Sequence, residues 1–197
     1  MLVKQKQIKQ NNLSNYLKNL NEEQKFKLWI KTILSAQNNL PEIIKSIDKI
    51  IEIKASSLSF ISDIYNTEKS TQSQVERVID LTERKNKLLN IYLISKKLVD
   101  SLNEDDRLYL QRKYIFNWTA EELSQEYQIS IRTAFRRTEK LIDQIYEKIK
   151  RSNWSLKFIT NQVNGEVWLI EKFNRYAKDS MPNNFSYEQN TKQLENE

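Results

Sequence analysis

The chain has 197 residues, 39% hydrophobic and 29% charged, with a net charge of +6, one Gly, two Pro, no Cys and no His. That length allows one domain or two small ones, and so polar a composition suits helices with one buried face rather than a deep multilayer core. Without Cys there is no disulfide framework, thiolate nucleophile or structural zinc finger; without His there is no imidazole base or His-held metal; and one Gly cannot build a phosphate-cradling loop, so no enzymatic activity, catalytic residue, cofactor or metal site is expected.

The basic balance suits a nucleic-acid partner, although Lys- and Asn-rich chains also drift basic through composition alone. No apolar run approaches the roughly 20 residues of a membrane span, and Met1–Gln10 lacks the apolar centre of a signal peptide, so the expected location is the cytoplasm, with no membrane partner. Residues 1–12 are polar and expected to fray. From Leu13, apolar residues recur at helical spacing through Tyr16, Leu17 and Leu20, and again through Phe26, Leu28, Trp29, Ile30 and Ile33, with a break at Asn19–Asn21. Asn21 with Gln24 forms a capping-box pattern for the second piece. Pro41 suits the first position of the next helix, where Ile43, Ile44, Ile47, Ile50 and Ile51 make an amphipathic stripe read as packing surface.

Residues 56–73 are rich in Ser, Thr and Asn and lose the period, so a loop or linker is expected. A long helix then restarts near Thr71, with Gln74 as its box partner, and runs through Val75, Val78, Ile79, Leu81, Leu88, Leu89, Tyr92, Leu93 and Leu98 to about Asp100. Thr82, Lys85 and Asn86 interrupt its seam, which fits an arm or one strand of a short helical pair better than a long coiled coil.

Between Leu102 and Ile149 the pattern sharpens. Asn103 caps a helix whose first turn carries Glu104, Asp105 and Asp106, with Leu108, Leu110, Tyr114 and Ile115 on its buried side and a loosening at Asn117. Thr119 and Glu122 make a second capping box for a short helix that buries Leu123 and Tyr127. After Gln128 and Ile129, Ser130 caps a longer helix that carries Arg132, Thr133, Ala134, Phe135, Arg136 and Arg137 and buries Leu141, Ile142, Ile145 and Ile149. A short capped helix, a tight turn and a second capped helix with leading arginines describe a helix-turn-helix, whose second helix enters the major groove. Arginine suits that place because its planar fork bonds guanine O6 and N7 together. Residues 130–151 hold seven basic side chains (Arg132, Arg136, Arg137, Lys140, Lys148, Lys150, Arg151) against three acidic ones (Glu139, Asp143, Glu147), hence +4 of the chain's +6. The competing reading is a surface helix with merely solvated arginines. Gln128 stands where such turns often have Gly, which costs strain or demands another geometry.

The run Asp106-Arg107, Leu110, Arg112, Tyr114, Trp118-Thr119, Glu122-Leu123, Ile129-Ser130, Arg132-Thr133 and Phe135-Arg136 resembles the sigma-70 region 4 type of helix-turn-helix, and more narrowly the ArpU-type sigma-like regulators of phages and prophages of low-GC bacteria. The resemblance covers residues 54–150 and is specific over 102–145. Leu123-Ser124 stands where the family has Ile-Ala. The resemblance implies that Ser130, Arg132, Thr133, Arg136 and Arg137 face DNA and that Thr119 touches its backbone. It also implies that Phe135 is either half-buried or set beside a thymine methyl, while Ala134, Leu123, Tyr127 and Leu141 belong to the core. Lys140 is expected to meet phosphate. A complete sigma factor would need a second module with aromatics that stack on unpaired bases. Phe26 and Trp29, among Lys25, Lys27 and Lys31, are read as core packing in preference to that.

After Arg151, Asn164-Gly165 between alternating apolar positions signals a β-hairpin over 156–170, with a last helix from Glu166 to Ala177 as the alternative. From Asp179 the tail is polar, with net charge −3, and disorder is expected.

The expected fold is therefore mainly α: a helical region over 1–55, a linker over 56–73, a connecting helix over 74–101, a helix-turn-helix domain over 102–150, an appendage over 151–178 and a tail over 179–197. The expected function is sequence-specific binding of double-stranded DNA in transcription control, in contact with RNA polymerase at phage or prophage promoters, without a small-molecule substrate; a homodimer is allowed. The alternatives are a stand-alone alternative sigma factor and a helical protein–protein adaptor that does not bind DNA.

Overall fold

The computed structural model describes residues 13–64, 68–152 and 154–181. Among the described residues the chain is mainly helical and no strand forms. In chain order the elements are α1 (13–19), α2 (Glu22–Ala36), α3 (Leu40–Ile64), α4 (Glu68–Asp100), α5 (Glu104–Leu110) continuing into a π-helical turn (Gln111–Ile115), α6 (Ala120–Glu126), α7 (Ile131–Lys150), α8 (Leu156–Val163) and α9 (Val167–Asp179). The expected fraying of 1–12 and most of the polar tail lie outside the described residues.

Local chemistry sets most helix starts. Asn21 and Gln24 close a reciprocal capping box at α2: the Asn21 side chain accepts from the Gln24 amide at 2.8 Å, and the Gln24 side chain accepts from the Asn21 amide at 3.0 Å. Asn103 caps α5, Thr119 and Glu122 box α6, Ser130 caps α7 and Ser155 caps α8. Pro41 lies one residue inside α3, where its lack of an N–H still costs no helical bond.

Two expectations are corrected. Among the described residues the Ser-rich stretch 56–73 is helical rather than a loop: α3 continues to Ile64 and α4 already begins at Glu68. Serine hydroxyls can return to the helix's own carbonyls, as Ser56 does to Glu52 at 2.9 Å and Ser57 to Lys54 at 2.8 Å, so they satisfy the helix as readily as they would a loop. The β-hairpin over 156–170 is absent, and the alternative of a last helix holds, as α9. A type I′ hairpin turn needs positive φ at both central residues. Here only Gly165 has it (φ +88°), while Asn164 sits at φ −60°, ψ 127°. With the Glu166 amide donating to the Val163 carbonyl at 3.0 Å, this is type II turn geometry, and it joins two helices.

Helix α2 lies at the centre, packed by α4, α7, α8, α9 and the π turn. Its residues Leu28–Ile30 and Thr32–Ala36 are all buried, so nearly its whole circumference is covered. The hydroxyls of Thr32 and Ser35 donate to the carbonyls of Leu28 and Thr32, both at 2.8 Å, so neither is left unpaired inside. Trp29 stacks on Phe173 of α9 with centroids 4.3 Å apart, and Phe26 meets Tyr146 of α7 edge-on at 5.7 Å. Phe26 and Trp29 are thus core residues. Helices α3 and α4 pair antiparallel, tied where Lys85 meets Asp48 at 2.8 Å. At the α8–α9 elbow the buried Glu166 carboxylate accepts from Arg84 of α4 at 2.6 and 3.0 Å and from the Trp168 indole at 2.9 Å. Burial pushes that carboxyl up, but the bonds from Arg84 and Trp168 outweigh it and leave its pKa below the usual range.

Ile33 is fully buried on α2. Ile33→Ala should cost about 2–4 kcal/mol, most of it from the cavity left behind, measured by urea unfolding with an unchanged slope. A loss below about 1 kcal/mol would show that α2 is not the centre of the core.

Candidate nucleic-acid interface

The expected site residues gather on and around the first half of α7. Helix α6 is joined to α7 by a tight turn over residues 127–130. Within it Gln128 adopts φ +52°, the left-handed conformation that glycine takes most easily. Ile129 and Tyr127 pack partly buried against the core beside the fully buried Leu123.

Asp105, Asp106 and Tyr109 of α5 hold α7 from one side. Tyr109 is fully buried, and its hydroxyl donates to the Ala134 carbonyl of α7 at 2.7 Å. The Arg137 guanidinium donates to Asp106 at 2.8 Å and also to Asp105, and it lies over the rings of Tyr109 and Tyr127 at 4.6 and 5.0 Å. Arg112 also lies over the Tyr127 ring, at 5.3 Å, stacks on Trp118 at 5.0 Å and pairs with Glu126 at 2.7 Å. Leu108, expected inside, is exposed, and Tyr109 takes the inward position instead. Residues 108 and 109 differ by 100° on the helix, and the tyrosine both fills the space and satisfies a carbonyl of α7.

The π turn ends α5. The Phe116 amide donates to the Gln111 carbonyl and the Trp118 amide to the Arg112 carbonyl, at 3.0 and 2.9 Å, while Asn117 takes φ +57°. This places Thr119 at the head of α6, where its hydroxyl accepts from the Glu122 amide at 3.2 Å and donates to the Glu122 carboxylate at 3.0 Å. The Thr119 backbone N–H, bonding that carboxylate at 2.7 Å, and the hydroxyl together hold the pKa of Glu122 below its usual value.

Along α7, Arg132, Arg136 and Lys140 follow at i, i+4 and i+8, a stripe about 12 Å long on one exposed face. Arg132 and Arg136 make no ion pair among the described residues, and Lys140 is near enough to Asp106 to help hold its carboxyl low. Ser130 and Thr133 are exposed but share a hydroxyl–hydroxyl bond at 2.8 Å while Ser130 caps the helix. Phe135 is 57% exposed and Ile131 also shows its side chain to solvent. Arg137 differs from the other arginines: it is half-buried and committed to its own fold. Sequence reasoning grouped it with Arg136 because the partners that claim it, Asp105 and Asp106, sit some thirty positions earlier.

Two of the three acidic residues of α7 are compensated as well. Glu139 meets Lys31 at 2.7 Å and Asp143 meets Lys27 at 2.7 Å, both lysines being on α2. Helix α7 thus turns Glu139 and Asp143 to lysines of α2, while Arg132 and Arg136 have no carboxylate partner among the described residues. Among the described residues no cluster of carboxylates could hold a metal ion, and no helix is long and apolar enough to cross a membrane.

Partial burial raises the Asp106 carboxyl, but hydrogen bonds from Arg137 and Asn103 win and its pKa falls below the ordinary 3.8. A lowered carboxylate stabilises the fold above its unfolded pKa, and that stability drains as pH falls through the folded value. Asp106→Asn should therefore lower stability at pH 7 and flatten its decline below about pH 4, read from unfolding midpoints across pH. An unchanged acid limb would show that Asp106 contributes nothing to it. Gln128→Gly should raise stability by about 0.5–1 kcal/mol by relieving the left-handed backbone. A loss instead would mean that the Gln128 side chain holds the turn.

No family model matches the chain, and neither a curated protein nor a solved structure is similar to it at a significant level.

Proposed function

We propose that this chain is a sequence-specific DNA-binding regulator of transcription, with α6, its turn and α7 acting as a helix-turn-helix of the sigma-70 region 4 kind. In this reading it works with RNA polymerase at phage or prophage promoters. The observation that carries the reading is the state of charge along α7: Arg132 and Arg136 stand exposed and without carboxylate partners among the described residues, while Glu139 and Asp143 are turned to lysines of α2. Holding two guanidiniums unpaired side by side is unfavourable in isolation and is rewarded when an anion covers them.

Arg132 and Arg136 are the base-reading residues, at the end of the helix that enters the major groove. Lys140, one turn further back, neutralises phosphate. The hydroxyls of Ser130 and Thr133 flank the entry, Thr119 heads the helix that crosses the backbone, and Phe135 presents an apolar ring suited to a thymine methyl. Arg137 is a positioning residue here, since its guanidinium anchors α7 to α5. The stand-alone sigma factor loses support because Phe26 and Trp29 are packed in the core and offer no ring to unpaired bases. The protein-gripping alternative draws on Ile131 and Phe135, which place apolar surface among the cations.

Selection of bound sequences from a random duplex pool, with and without polymerase, tests the reading directly. Arg136→Ala should cost about 1–3 kcal/mol on the selected site and much less on random DNA. Lys140→Ala should weaken all sequences alike and reduce the salt slope by about one. Binding of no duplex at low salt, together with salt-insensitive retention of a protein through α7, would replace this function with the adaptor.

A further inference from the structure

Helix α4 carries a second stripe that the core does not use. Val75, Ile79, Thr82, Asn86, Leu89 and Leu93 follow one another at steps of four, three, four, three and four residues. That is the spacing of alternating d and a positions in a coiled coil, with Ile79, Asn86 and Leu93 at a and Val75, Thr82 and Leu89 at d. The residues that α4 buries lie on other faces. Leu81, Leu88, Ile91, Ile94, Ser95 and Leu98 turn towards the core, and Lys85 turns to Asp48 of α3. Most of the stripe is open to solvent: Val75 is 42% exposed, Ile79 51%, Leu89 38% and Leu93 52%, Asn86 is exposed between them, and Thr82 is partly buried. Its flanks are occupied, by α3 where Lys85 pairs with Asp48 and by α8 where Asn90 donates to Gln162 at 3.2 Å. Phe158, one turn before Gln162 on the same side of α8, adds exposed apolar surface beside the stripe.

We infer that this face pairs with the same face of a second copy of the chain, the two α4 helices running parallel and in register. Three features single out that occupant. An apolar seam with one polar a position suits two strands: the carboxamide of Asn86 meets that of its counterpart and fixes the register at some cost in affinity. Thr82 keeps its hydroxyl engaged with the Val78 carbonyl at 2.8 Å, so it enters the seam without an unpaired donor. Charge selects the direction. In a parallel pair the flanking positions match Val78 with Glu83, Lys85 with Asn90 and Tyr92 with Lys97, none of them like-charged. A centred antiparallel pair would set Glu83 against Glu83, while Lys85 keeps Asp48 as its partner in either direction.

The seam spans about 27 Å, and covering it removes roughly 800 Å² in total, below the roughly 1,200 Å² at which stable specific interfaces begin, so the dimer is weak and reversible. This inference stands apart from the DNA-binding reading. A monomer that binds DNA would overturn only the dimer, and a dimer that ignores DNA only the other.

Sedimentation of the full chain from about 5 to 500 µM should show a monomer–dimer equilibrium. Ile79→Glu and Leu93→Glu, both at exposed positions, should each weaken it at least about tenfold while leaving the helical circular dichroism unchanged, and Asn86→Val should tighten it. Because the chain has no cysteine, Asn86→Cys and Leu93→Cys should each give a disulfide-linked dimer on mild oxidation, whereas Glu147→Cys on α7 should not. A monomer at every concentration overturns the inference. So does a dimer that survives both glutamates, or one that cross-links no better at 86 and 93 than at 147.

Discussion

The rest of the structure depends on covering α2. Most of its residues from Phe26 to Ala36 are buried, so this helix has almost no polar face and cannot rest on a surface. A chain only 39% hydrophobic has few apolar residues to surround it, and it draws them from both ends. Phe173 and Ala177 come from α9, Ile145 and Tyr146 from α7, Ile91 and Leu98 from α4. The N-terminal and C-terminal thirds therefore share one core. Burial at about 25 cal/mol per Å² of apolar surface supplies the driving force, and the two hydroxyls on α2 cost little because they bond their own backbone.

That requirement also fixes how α7 is held. Its rear half, from Leu141 to Ile149, is part of the shell around α2, while its front half reaches past that shell and is clamped by α5. The clamp combines a buried tyrosine hydroxyl, a guanidinium between two carboxylates, and two aromatic faces on which that guanidinium lies. Each piece alone would be modest. Together they leave the helix one orientation, because Arg137 cannot turn outward without abandoning Asp105, Asp106 and both rings. Arg132 and Arg136 are left outside by the same geometry: no carboxylate of α5 or α2 reaches that face.

The helix starts were legible because caps are local: Asn21, Asn103, Thr119 and Ser130 each act within three residues, and so a short pattern reveals them. The turn at Gln128 was legible from the caps on either side of it, Thr119 and Ser130, and not from Gln128 itself, which stands where glycine is usual and still takes a left-handed backbone. What escaped depended on partners distant in the chain or on choices with close alternatives. The serines after residue 55 satisfy a helix or a loop equally well, and packing of α3 on α4 decides between them. Asn164-Gly165 permits more than one turn type, and the neighbouring helices selected type II. Leu108 and Tyr109 are adjacent apolar positions, so only the carbonyl of Ala134, twenty-five residues on, settles which one enters the core. Whether the leading arginines of α7 meet duplex DNA is a question of partner rather than fold, and it was drawn from residue type and spacing.

Thr82 and Asn86 teach the same lesson in reverse. Along one line of α4 they look like defects in a seam, because an apolar core tolerates an amide poorly. Helix α4 has more than one line, however. The buried side runs through Leu81, Leu88 and Ile91, and the polar pair lies on another face among Ile79, Leu89 and Leu93. A polar residue that would weaken a monomer's core is cheap on a face that spends part of its time in water, and it keeps that face soluble when unpaired. The amide at position 86 is then consistent with a surface that must be stable both wet and covered, which an uninterrupted row of leucines would not be.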